Sequence, residues 1–185
     1  METSDEEHMN ISVQTTNHLD SKPAKWTSTQ ELPKSIIRPL NTTEEELDLY
    51  CKFGKQFAEE SNAGGFCKKT FLKSIDSFLK SGKAKLLVLE VNGQVVGGVG
   101  MYAYKCFYND VLRVQEIFWW VDPEYRNTRD SIKLFNKVEE WALEIGADEV
   151  MVSSTVLNAD KIEKFYTKKG FRKMDINYIR SLNHA

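Results

Sequence analysis

Glu116 is the residue on which acid–base chemistry can be built. It stands in the run Gln115-Glu116-Ile117-Phe118-Trp119-Trp120. Large apolar neighbours desolvate a carboxylate and raise its pKa. A carboxylate raised toward neutrality is a candidate general base. The same residue also reads as a solvent-facing strand carboxylate, or as a partner for Arg113. The histidines offer no competing base. His8 and His18 lie near the start, and His184 is second from last. A serine or cysteine activated by histidine is therefore hard to assemble. A histidine-bound metal centre fails for the same reason. Cys51, Cys67 and Cys106 are widely spaced, odd in number and without a CxxC pair. They read as single thiols in a reducing compartment, not as a disulfide framework or metal ligands. Proton transfer then falls to carboxylates, tyrosines, lysines, backbone groups or water.

The chain that must position these groups has 185 residues, 41% of them apolar and 28% charged. That suits one domain with a real core, with or without a tail. A net charge of -2 gives no global basic footprint for nucleic acid. No apolar run approaches the roughly 20 residues of a membrane span. The acidic start, Met1 to Asn10, lacks the basic and apolar regions of a signal peptide. The expectation is a soluble, cytoplasmic protein with neither membrane nor nucleic-acid partners. Residues 1–33 carry six acids against two lysines and show no apolar period. They are expected to form a polar tail that is disordered alone. Trp26 is its one large apolar residue, able to dock on the domain or on a protein partner.

From Lys34 the pattern changes, and residues 34–185 read as the folded domain. Ser35 to Leu40 looks like a short strand. Thr42-Thr43-Glu44-Glu45-Glu46 signals a helix start with a capping box. Asn62-Ala63-Gly64-Gly65 breaks that helix, and a second one runs to Ser81-Gly82. Lys85–Val91, Asn92-Gly93 and Gln94–Tyr102 form a hairpin signal. Gly97, Gly98 and Gly100 suggest a bulge or close backbone approach. A strand over Val111–Val121 leads to the polar loop Asp122–Ser131. An amphipathic helix follows over Ser131–Ile145 and stops at Gly146. Glu149–Ser154 reads as a strand, and Ile162, Phe165 and Tyr166 mark a short helix ending at Gly170. Phe171–Leu182 supplies one or two closing strands, with an exposed edge near Ile176–Leu182 that predicts a homodimer. The fold class is α/β (α+β), with a mixed, largely antiparallel sheet flanked by helices.

Val121-Asp122-Pro123-Glu124-Tyr125-Arg126-Asn127-Thr128-Arg129-Asp130-Ser131 resembles the cofactor loop of the GNAT superfamily of N-acetyltransferases. Asn158, then Phe165-Tyr166-Thr167-Lys168-Lys169-Gly170-Phe171, resembles that family's second motif. The element order agrees over about residues 34–182. The run Gln115–Val121 is also similar to small single-domain members found in bacteriophage genomes, which would place the protein in a host cytoplasm or a virion.

The resemblance implies acetyl-CoA as co-substrate and an amine as acceptor, either a small molecule or a peptide. A helix N-terminus offers free N–H donors to a pyrophosphate. The loop residues Arg126, Asn127, Thr128, Arg129, Asp130 and Ser131 are thus implied as cofactor-binding. The arginines can add charge-assisted bonds. The pantetheine arm would lie along the strand backbone at Trp119 and Val121, and Asn158 would touch the cofactor. Tyr166 would protonate the departing thiolate, while it also reads as helix packing beside Ile162 and Phe165; Glu116 is the candidate base from its own neighbours. Trp119 and Trp120 alternate, so one faces the core and the other can line an acceptor cleft; Phe66, Phe71, Tyr102 and Tyr104 can join it, with core packing as the default reading of each. The family's loop glycines are Asn127, Arg129 and Ser131 here, and Asp130 brings a negative charge. Those departures motivate two alternatives. One is an inactive protein of this fold serving as a binding or structural component. The other is a nucleotide binder without transfer.

Overall fold

The computed structural model describes residues 34–61, 64–154, 159–180 and 182. The tail and its Trp26 lie outside them. Strand β1 is Ser35–Pro39, and helices α1 and α2 are Glu44–Glu60 and Lys68–Ser81. Strands β2, β3 and β4 are Ala84–Val91, Gln94–Lys105 and Leu112–Val121. Helix α3 is Arg129–Glu144, β5 is Glu149–Met151 and α4 is Ala159–Lys168. Among the described residues the strands form one sheet in the order β1-β2-β3-β4-β5. Only β4 and β5 run parallel. The expected mixed, largely antiparallel architecture is what forms.

Both faces of the sheet are covered. Leu87, Leu89, Val99, Met101 and Val114 pack with Leu134 and Val138 of α3. On the other face Leu86, Val88, Phe118 and Trp120 pack with Tyr50 and Phe53 of α1 and Ile75 of α2. This is why β2 reads as an unbroken apolar run and not as an alternation. The hairpin turns at Asn92 and Gly93, with φ of 51° and 81°. A two-residue turn of this hand needs positive φ at both positions, which Asn and Gly tolerate.

The glycines of β3 mark close approaches. A Cβ at Gly97 would lie 2.9 Å from the Trp120 carbonyl oxygen, and one at Gly98 would lie 2.7 Å from the Tyr50 ring. At Gly97 the neighbour is backbone of the next strand and cannot swing aside. Gly97→Ala is expected to destabilise the fold by about 1–3 kcal/mol. Urea denaturation checks this, and an unchanged midpoint would show that β4 yields at no cost.

Strand β4 carries a bulge. Gly100 pairs with Phe118 and Met101 with Glu116, so Ile117 is the extra residue. A bulge breaks the period-two alternation. Val114 and Glu116 therefore face α3 and α4, Phe118 and Trp120 face α1, and Trp119 again faces α3.

Several boundaries differ from expectation, and β3 runs on to Lys105 past Tyr102. Helix α3 begins at Arg129, not Ser131, because the Thr128 hydroxyl accepts from Ser131 N and caps the helix two residues earlier. Strand β5 stops at Met151, not Ser154. The closing strands over Phe171–Leu182 do not form among the described residues. Helix α4 closes with Phe171 N bonded to Tyr166 O at 3.0 Å. After it Met174, Ile176, Tyr178 and Ile179 are exposed. The three-residue β5 offers too few ladder bonds to offset the entropy of ordering that segment. Among the described residues the strand edge at Ile176–Leu182, on which the homodimer expectation rests, is thus not present.

Candidate active site

Strands β4 and β5 pair only at Arg113–Glu149, Val114–Val150 and Gln115–Met151. Beyond those pairs they part. Asp122 N donates to Val96 O at 2.8 Å, which fixes the alternation at the end of β4. Backbone groups of Trp120 turn to β3, and those of Trp119 and Val121 turn to the opening left by β5.

Glu116 sits where the opening begins and is 5% exposed. Its Oε2 accepts a long bond from Ser153 N at 3.4 Å. Burial pushes its pKa up to about 7, and the Ser153 bond opposes the rise. Arg113 is not its partner, since that guanidinium bonds Glu149 at 2.6 Å. Tyr166 comes from α4 to the same place and donates its hydroxyl to Ser153 O at 3.0 Å. Burial, and then the charge of Glu116, hold the Tyr166 phenol well above its usual range. At neutral pH Tyr166 is therefore a proton donor, while Glu116 is poised between its two forms.

Trp119 lies on the floor of the opening, with ring centroids 4.9 Å from Phe135 and 5.8 Å from Phe165. Its indole N–H is buried and has no partner among the described residues. Trp120 faces the other way, stacked on Phe53 at 4.8 Å, with its N–H on Glu60 at 3.3 Å. Phe66 and Phe71 pair at 5.2 Å on the α2 side. Tyr102 lies between Phe78 and Tyr104, at 5.8 and 5.2 Å.

The loop before α3 solves the glycine problem at one position. Asn127 has φ of 61°, the left-handed conformation that glycine takes freely and asparagine tolerates. Thr128 accepts from Ser131 N at 3.2 Å, and the Ser131 hydroxyl donates to Thr128 O at 2.9 Å. Ser131 N is thus already used. The N–H groups of Arg129 and Asp130, in the first turn of α3, have no intrahelical acceptor. Lys133 bonds Asp130 at 2.7 Å and holds its carboxyl below the usual range, so that charge is paired.

Arg126 is turned elsewhere. Its Nε donates to Val121 O at 2.6 Å and its Nη2 to Glu60 at 2.7 Å, with the guanidinium 5.5 Å over the Trp120 ring. It therefore ties the loop to β4 and to the end of α1. Arg129 is exposed. Asn158 lies outside the described residues. Ser153, which joins Glu116 to Tyr166, was not foreseen, and a serine after a strand carries no signal for it.

The donor set suits a pyrophosphate-bearing thioester. Two amides of α3, a glycine-like turn at Asn127, the Trp119 backbone and the Val121 N–H offer donors and acceptors on the β5 side of β4, while the Val121 carbonyl is already taken by Arg126. Residues 51–171 match the family model of the acetyltransferase (GNAT) family. No curated protein sequence matches the chain. Solved structures share its fold. The aminoglycoside N-acetyltransferase AAC(6')-Iy, in complex with CoA, is 16% identical, with a TM-score of 0.64 over 83% of this chain and 99% of that one. A possible acetyltransferase from Clostridium difficile 630 is 20% identical, with a TM-score of 0.64 over 81% and 99%. The glucosamine-6-phosphate N-acetyltransferase from Arabidopsis thaliana is 18% identical, with a TM-score of 0.58 over 81% and 99%.

Proposed function

The chain belongs to the acetyltransferase (GNAT) family, and from that premise we propose that it transfers an acetyl group from acetyl-CoA to a primary amine. One observation carries the reading. Glu116 of β4 and Tyr166 of α4 meet through Ser153, where β4 and β5 part.

Bound acetyl-CoA supplies the activated thioester. The amides of Arg129 and Asp130, with the turn at Asn127, receive its pyrophosphate, and Arg129 adds a charge. Thr128 and Ser131 shape the turn through their mutual bonds. Arg126 holds the loop against β4. Backbone groups of Trp119 and the N–H of Val121 receive the pantetheine arm. A lysine-like amine has a pKa of about 10.4 and is protonated at pH 7. Glu116 takes the proton that the amine must lose to attack. As the new C–N bond forms and the C–S bond breaks, Tyr166 Oη gives its proton to the leaving sulfur, and the second proton that the nitrogen sheds restores the phenol through water. The acceptor is a small-molecule or peptide amine.

Calorimetry with acetyl-CoA and with CoA tests the binding. CoA thiol release over an amine panel tests the transfer. Tyr166→Phe is expected to lower kcat about 10²-fold while leaving CoA affinity intact. No binding at millimolar cofactor sinks the reading and favours a non-catalytic role. Binding without any turnover favours a nucleotide binder.

A further inference from the structure

Gln115 is the last β4 residue paired with β5, and Glu116 is the next. Their side chains serve opposite faces. Glu116 shares its site with Tyr166 and Ser153 on the α4 side. Gln115 meets Tyr102, whose ring stacks on Phe78 of α2, so it serves the α2 side. An acceptor whose amine reaches Glu116 through the parting of the strands therefore keeps its body over Gln115.

Gln115 is held in one orientation. The Tyr102 hydroxyl donates to its Oε1 at 2.8 Å. Burial and the neighbouring Tyr104 keep that phenol protonated and able to donate. With Oε1 occupied, the two N–H donors of Gln115 Nε2 are left for another group, and none among the described residues takes them. Arg113, the nearest cation on β4, is neutralised by Glu149 at 2.6 Å. The place therefore offers neutral donors beside a row of aromatic rings, with the one β4 cation already paired.

We propose, resting on the acetyltransferase reading, that Gln115 is an acceptor-specificity residue selecting amines that carry a carbonyl or hydroxyl oxygen a few bonds from the nitrogen. An amino-acid amide or a peptide N-terminus supplies the first, and an amino alcohol or amino sugar the second. Tyr102 positions Gln115 for either. A plain alkylamine leaves the Gln115 donors without an acceptor in a site it has desolvated, which costs binding.

The test compares kcat/KM for alaninamide, ethanolamine, glucosamine and n-propylamine in the wild type, Gln115→Leu and Tyr102→Phe. Acetyl-CoA affinity is measured alongside by calorimetry. The amide arm against the two hydroxyl arms identifies which oxygen is preferred. The expected result is that the preference for an oxygenated amine over propylamine falls about 10-fold in Gln115→Leu. It falls in the same direction, by less, in Tyr102→Phe, which keeps the test alive if the leucine variant does not fold. Amine pKa differences cancel in this ratio of ratios. An unaltered preference in both variants overturns the proposal. So does a wild type that binds acetyl-CoA but acetylates no oxygenated amine. A wild type that does not bind acetyl-CoA overturns the acetyltransferase reading itself.

Discussion

Glu116→Gln is expected to lower kcat by about 10²–10⁴-fold, the range for losing a positioned general base. In the wild type kcat/KM should rise with pH through about 7, where Glu116 loses its proton. The variant should lose that limb. Stability moves the opposite way. An unfolded glutamate has a pKa of about 4.3, so between that value and about 7 the native state holds a proton that the unfolded chain has released. Stability from this group is full below the unfolded value and is lost as pH rises through the folded one. A shift of this size corresponds to roughly 4 kcal/mol at alkaline pH. Wild type should therefore lose thermal stability between pH 5 and pH 8 relative to Glu116→Gln, by roughly 5–10 °C, the rest of the loss falling below pH 5. A purely structural glutamate partnered by Ser153 would give a variant less stable at both pH values by the same margin. Parallel melting curves would refute the assignment of a desolvated base.

Phe135→Ala is expected to cost about 3–5 kcal/mol, a large part of a typical domain's total of about 5–15. The ring is fully buried. Its centroid lies 4.9 Å from Trp119, 5.2 Å from Phe165, 5.6 Å from Tyr166 and 6.3 Å from Phe171. Lys169 Nζ also lies 5.6 Å from it. One ring of α3 thus joins the floor of the opening to the helix that carries Tyr166. Its loss should lower the thermal midpoint by roughly 6–20 °C. At temperatures where the variant still folds, kcat should fall with it, since Tyr166 is no longer held. Phe135→Leu should recover most of the stability. A variant that melts like wild type would show that α4 is held by other contacts.

Much of this arrangement is written locally. Asn92-Gly93 announces its hairpin because only its own backbone must adopt positive φ. Helix α2 stops where Gly82 takes φ of 65°, and α4 where Gly170 takes 90°, again a property of single residues. Glu116 could be singled out because its desolvating neighbours are adjacent in sequence. The elements that escaped depend on distant partners. Ile117 is a bulge only because Gly100 and Met101 choose Phe118 and Glu116. Arg126 abandons the loop for Glu60, 66 residues earlier, a choice that no spacing rule contains. Phe171–Leu182 carries apolar residues at strand spacing, but a strand also needs an edge, and β5 is only three residues long. Asn127 shows the limit of motif comparison: the glycine is missing, yet the conformation it serves is kept.

The bulge at Ile117 gives β4 a constraint of another kind. It divides the strand into two stretches of opposite phase, so that the base serves one side and the Trp120 ring the other. Substitutions within either stretch leave that division intact. Removing or inserting one residue between Glu116 and Phe118 would not, because a shift by one exchanges every side chain beyond it between faces. Away from Glu116, this strand is expected to tolerate a change of residue better than a change of length. Lineages that carry this site should differ here in letters while sharing the count, and a single lost codon would remove the activity as surely as losing Glu116.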